Sequence, residues 1–310
     1  INIGDSLIQY NAMGIEWYNN KIPAWSGYGE YPPGIPMTMS LVYKIINNTS
    51  VEIFTKAIFI IYPSWILLVF YRAIHLLPNY KNIIQLTCFI TLSIFLFIFR
   101  HTSMYVGLIE PVLFLTSGCT ALIMILIYKQ KEDLKILDYL LFGLIVASGS
   151  LTKQTGLYLS FLFPLTYLLL FYKTLEIKKL IRNFFYISVP LLIPITWYVF
   201  IIISRSQMDF DDGFLINLII SNNKSSFFTK IYGMFGIFAA PCLIVLIFSF
   251  FNRLSLFIFV LVLVPYFILY FNFFGYDNRH LTPIIPFLAF NVAVGIFEII
   301  KKLKIDRIRF

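Results

Sequence analysis

Long apolar stretches alternate with short polar connectors from one end of the chain to the other. Stretches of about 17–25 residues cross the hydrocarbon core as helices, because backbone amides find no water partner there. The pattern predicts nine spans, at roughly 54–73, 83–99, 107–128, 136–152, 157–172, 184–203, 230–251, 254–272 and 282–300. The pair 136–152 and 157–172 is short, which predicts tilted or partly re-entrant helices. The expected fold class is therefore all-α: a polytopic membrane helix bundle with a long helical first outer loop. Composition agrees, since 59% of the residues are hydrophobic and only 13% charged.

Sidedness follows from Lys and Arg. With residues 1–53 outside, 15 of the 24 basic residues fall on the cytoplasmic side, while the others are spread over much longer outer segments. The tail KKLKIDRIRF then ends the chain inside. The net charge of +9 is accounted for by topology and contact with anionic lipid, so nucleic acid is excluded as a partner. Three parts result: a first extracytoplasmic loop (1–53), a transmembrane domain (54–300) and a basic cytoplasmic tail (301–310). The chain opens at Ile1 without a methionine, at what looks like mid-loop, so one further span is expected ahead of it.

The first loop is too long for a plain connector. Leu7, Tyr10, Gly14 and Trp17 recur at helical spacing over 6–18, with Asp5 or Ser6 placed to cap the start. An amphipathic helix on the membrane surface is expected there. A Gly-, Pro- and aromatic-rich stretch follows, and 36–46 reads as a second short helix at the interface. A second outer loop, 204–229, carries Asp209, Asp211 and Asp212 in a spacing that fits no calcium loop. Cys88, Cys119 and Cys242 lie within apolar stretches and read as packing residues.

Candidate chemistry gathers at the outer ends of the spans. Asp5 is either an N-cap or a carboxylate held at the surface as a general base or cation ligand. Glu110 lies three or four residues into a span, where a carboxylate is costly unless it faces a polar cavity or a partner, or reaches back to water. Arg100 with His101, Lys153, and Arg279 with His280 form three basic clusters on the same side. Outer-side cations run against the positive-inside bias, so these call for an anion: either the acidic residues above or a phosphate.

Four segments carry a resemblance. GDSLIQYNAMGIEWYNNKIPAWSGYGEYPPGIP resembles the first outer loop of GT-C-type glycosyltransferases, with Tyr31 and Pro32 in its turn. YVGLIEPVLF resembles that family's second acidic motif, and LIVASGSLTKQTGLYLSFLFPL its Leu-Thr-Lys junction between two short spans. DNRHLTPIIPFLAF resembles the stretch that begins a late span, with His280 where the family has an aromatic residue. The likeness is greatest to the protein mannosyltransferase and lipid A aminoarabinose transferase branch. It implies an integral membrane enzyme acting in cell-envelope glycosylation, and the Ile-, Lys- and Asn-rich composition favours a bacterial or archaeal cell membrane over the endoplasmic reticulum. The donor would be a polyprenyl- or dolichyl-phosphate sugar, and the acceptor a glycan, lipid or protein. Asp5 would be the base, and Glu110 would orient the acceptor or share a divalent cation with Asp5. Lys153 and Arg279, with His280, Arg100 and His101, would stabilise the leaving lipid phosphate. The alternative is a transporter or lipid flippase with an outer-facing charged cavity. That class predicts repeats and broken helices near the midplane, whereas these charges lie at span ends.

Overall fold

The computed structural model describes residues 11–19, 33–50, 52–99, 110–129, 134–205, 239–274 and 278–303. Among them every regular element is helical and no strand is present. In chain order the helices are α1 (Asn11–Tyr18), α2 (Gly34–Ile46), α3 (Glu52–Leu76), α4 (Lys81–Phe99), α5 (Glu110–Lys129), α6 (Ile136–Thr152) and α7 (Gln154–Phe171). Then come α8 (Ile177–Ser188), α9 (Leu192–Arg205), α10 (Ala239–Ser249), α11 (Arg253–Ile258), α12 (Val264–Leu269) and α13 (Ile285–Lys302). Among the described residues four helical stretches are long and apolar enough to cross a membrane: Glu110–Lys129, Ile177–Phe200, Arg253–Asn272 and His280–Lys302. Exposed Leu68, Phe89, Phe185, Ile193 and Ile268 give the bundle the apolar exterior that a bilayer solvates.

Helix α5 is the central post. It packs against α3, α6, α7 and α13 and is buried over most of its length. The reason is local: Thr116, Ser117, Gly118, Thr120 and Ala121 are small, so neighbouring backbones approach closely. The hydroxyl of Ser117 donates to the Phe114 carbonyl at 3.0 Å and reaches the Thr282 carbonyl at 3.4 Å, joining α5 to the turn before α13. Intrahelical donation satisfies a hydroxyl that lipid could not.

Two breaks in the long helices lie at proline. Between α8 and α9 the 3₁₀ turn Val189–Leu191 contains Pro190. Pro265, which lacks an N–H, lies just after a π-helical turn, Phe259–Leu263, that links α11 to α12. A buried polar cluster ties the α10–α11 connection to α13. Ser255 donates to Asn291 Oδ1, Ser249 reaches the same oxygen at 3.4 Å, and Asn291 Nδ2 donates to the Phe287 carbonyl at 3.0 Å.

The helix expected over 6–18 is described as α1, Asn11–Tyr18, its earlier residues lying outside the described set. Within Asn11–Tyr18 the residues are not sorted onto apolar and polar faces, and the helix packs on α2. Asn11 is buried beside Met13 and accepts from the Tyr43 hydroxyl of α2. Helix α2 is two-sided. Ile35, Met39 and Tyr43 form a small core with Val112 of α5, while Met37, Leu41 and Ile45 are exposed.

Candidate functional site

Glu110 and Lys153 form a buried ion pair. Lys153 Nζ donates to Glu110 Oε1 at 2.8 Å, with the two side chains 12% and 2% exposed. Two independent features of the chain set this up. Glu110 is the first residue of α5, where the unpaired N–H groups of a helix start favour negative charge. Lys153 is the single extended residue between α6 and α7, at φ −153° and ψ 148°, closing one helix and opening the next. A carboxylate this buried persists only with partners, and a lysine from a segment 43 residues away supplies one.

The α6–α7 junction is tightly held. The Lys153 N–H donates to the Gly149 carbonyl at 3.3 Å and the Gly156 N–H to the Lys153 carbonyl at 2.8 Å. Ser150 Oγ donates to the Gly156 carbonyl at 3.0 Å, and the Tyr198 hydroxyl of α9 donates to the Ser150 carbonyl at 3.0 Å. Gly149 and Gly156 face each other so closely that a Cβ on Gly156 would run into the Gly149 carbonyl, and one on Gly149 would lie 2.9 Å from Thr116 Oγ1 of α5. The two nearest obstacles at Gly156, the Gly149 carbonyl oxygen and carbon, are backbone, which cannot swing aside. Gly156→Ala should therefore lower stability by about 1–3 kcal/mol, the usual cost of overpacking. Thermal unfolding of the detergent-purified protein measures it, and an unchanged melting temperature would mean that the junction yields.

Two further segments meet at this end of the bundle. The Pro33–Gly34 turn lies against the end of α6, where a Cβ on Gly34 would sit 2.7 Å from the Leu151 carbonyl oxygen. The 3₁₀ turn Asn278–Ile284 packs against α5, α7 and α4. Its His280 carbonyl accepts from the Tyr266 hydroxyl, whose ring lies edge-on to Tyr158 of α7 at 4.8 Å. Ser117, which reaches this turn at Thr282, lies about 10 Å along α5 from Glu110 at 1.5 Å per residue.

Of the residues singled out in the sequence, Glu110 and Lys153 are in direct contact and the His280 turn packs beside their helices. For Arg279 the backbone alone is placed, within that turn. Asp5, Tyr31, Pro32, Arg100 and His101 lie outside the described residues, as does the Asp209–Asp212 stretch. Sequence reading missed Gly34, Tyr158 and Tyr266, which hold the segments together. Tyrosine hydroxyls inside apolar stretches need acceptors, and that need was the available signal. Among the described residues no three His, Cys, Asp or Glu side chains gather as a metal set.

The arrangement offers an ammonium with two protons beyond the one given to Glu110, held rigidly at a helix junction. An anion arriving here meets a cation whose position is already fixed, the condition for stabilising charge that grows during a reaction. Comparison with protein-family models, curated proteins and solved structures finds no match.

Proposed function

We propose that the chain is a multi-pass membrane glycosyltransferase of the GT-C type, moving a sugar from a polyprenyl- or dolichyl-phosphate donor to an acceptor hydroxyl on the extracytoplasmic side. The observation that supports this best is the Glu110–Lys153 pair at the α6–α7 junction, with the Pro33–Gly34 turn against the end of α6 and the 278–284 turn packed on α5 and α7. Those four segments are the ones whose sequences resemble the family. On this reading nine spans cross a bacterial or archaeal cell membrane, and residues 1–53 form the outer loop over the site.

The acceptor oxygen attacks the anomeric carbon and its proton passes to the Asp5 carboxylate. The bond from that carbon to the phosphate oxygen breaks, and the electron pair leaves with the lipid phosphate. That phosphate gains charge in the transition state and is met by Lys153 and Arg279. Direct displacement inverts the anomeric centre, provided donor and acceptor are held in line. Glu110 keeps Lys153 in place, and it orients the acceptor or shares a divalent cation with Asp5.

Transfer from radiolabelled lipid-phosphate sugars to membrane acceptors, with and without the purified chain, tests the reading directly. No transfer from any such donor would remove it. Arg279→Ala should raise the donor KM about tenfold or more, the cost of a lost charge-assisted contact to phosphate. Asp209→Asn, in the second outer loop, should leave the rate unchanged. Equal effects of the two substitutions would argue against a phosphate role for Arg279.

A further inference from the structure

A cavity of about 360 Å³ lies between α1 and α2, apart from the Glu110–Lys153 pair, lined by Trp17, Met37, Thr38, Ser40, Leu41 and Lys44. Its composition is amphipathic in an ordered way. Met37 and Leu41 are about half exposed, and Ile45, one turn further along the same stripe, is more exposed still. Ser40 is buried, and the Thr38 hydroxyl is committed to the Gly34 carbonyl at 2.8 Å. Lys44, in the last turn of α2, is exposed and has no anionic partner among the described residues. Trp17 is fixed by its packing on Trp197 of α9, with ring centroids 6.2 Å apart.

We propose that this cavity is a headgroup site for an anionic phospholipid: the phosphate meets Lys44 beside Trp17, and a hydrocarbon chain lies along Met37, Leu41 and Ile45. Three observations select a lipid over a soluble anion or a protein. The apolar stripe is continuous with the cavity wall and spaced one helical turn apart, so it presents a single face to a chain. Helix α2 leads through a short connector into the 25-residue helix α3, whose second half is apolar, so the cavity's helix continues directly into the bundle. A lysine and an indole lining one cavity beside an apolar stripe are the residue types of a bilayer interface.

Quenching by brominated lipids tests this with the full chain in nanodiscs. The chain has four tryptophans, so the Trp17 signal is taken as the difference between wild type and Trp17→Phe. Brominated phosphatidylglycerol should quench that signal at about one-fifth of the concentration needed for brominated phosphatidylcholine, the scale of one lysine near an anionic surface. Lys44→Gln should abolish the difference; because Lys44 is exposed and unpaired among the described residues, folding should be untouched. Equal quenching by the two lipids in wild type, a preference that survives Lys44→Gln, or no quenching of the Trp17 signal would each overturn the proposal. The outcome does not depend on sugar transfer, so it stands or falls separately from the enzymatic reading.

Discussion

Lys153→Met should destabilise the protein by about 3–5 kcal/mol, because it removes the ammonium that contacts the buried Glu110 carboxylate. Glu110 is 2% exposed and its bond to Lys153 is 2.8 Å long, so water reaches the carboxylate poorly. The double variant Glu110→Gln with Lys153→Met removes both charges and should recover most of that loss, since a buried pair is worth far less than the cost of leaving half of it. Thermal unfolding of the three variants in one detergent checks this. Destabilisation of the double variant as great as that of Lys153→Met would show that the pair is not the source. Activity separates structure from chemistry. On the proposed reading the double variant is folded but lacks the cation for the leaving phosphate, so transfer should fall by about 10²-fold or more. A stable double variant with full transfer would leave the pair a structural fastening only.

Asp5→Asn should lower sugar transfer by about 10²–10⁴-fold, the range of a general-base contribution. An amide cannot take the acceptor's proton, yet asparagine caps a helix as well as aspartate does. Expression and melting temperature should therefore match wild type, which isolates the chemical step. Near-normal transfer at matched protein levels would make Asp5 a cap and move the base elsewhere. Whatever the outcome, α1 should remain helical from Asn11, because its packing rests on Met13, Gly14 and Tyr43.

Much of the architecture was legible from hydropathy. Apolar stretches at 107–128, 136–152 and 157–172 reappear as α5, α6 and α7 within a few residues of their expected ends. The backbone decides this, because an apolar segment in lipid must satisfy its amides internally and a helix does so. The break at Lys153 was also visible, as a polar tetrad between two short stretches. Less legible was the character of α1, where spacing suggested a surface helix but Asn11 is buried against Tyr43. Periodicity reports which residues are apolar and is silent about a neighbour that can bury a polar one.

The candidate site divides along the same line. That Glu110 and Lys153 each needed a partner could be read from the chain alone, because charge beside an apolar stretch is costly wherever it occurs. Which partner each took could not. Lys153 suited a phosphate or a carboxylate equally well by residue type, and only the packing of α6 and α7 on α5, through Gly149, Gly156 and Thr116, brought its ammonium to Glu110. The contact of Gly34 with Leu151 and the seating of the His280 turn by Tyr266 belong to the tertiary structure for the same reason. Local sequence sets the cost of a buried group, and distant segments, brought together by small residues at helix crossings, determine how that cost is met.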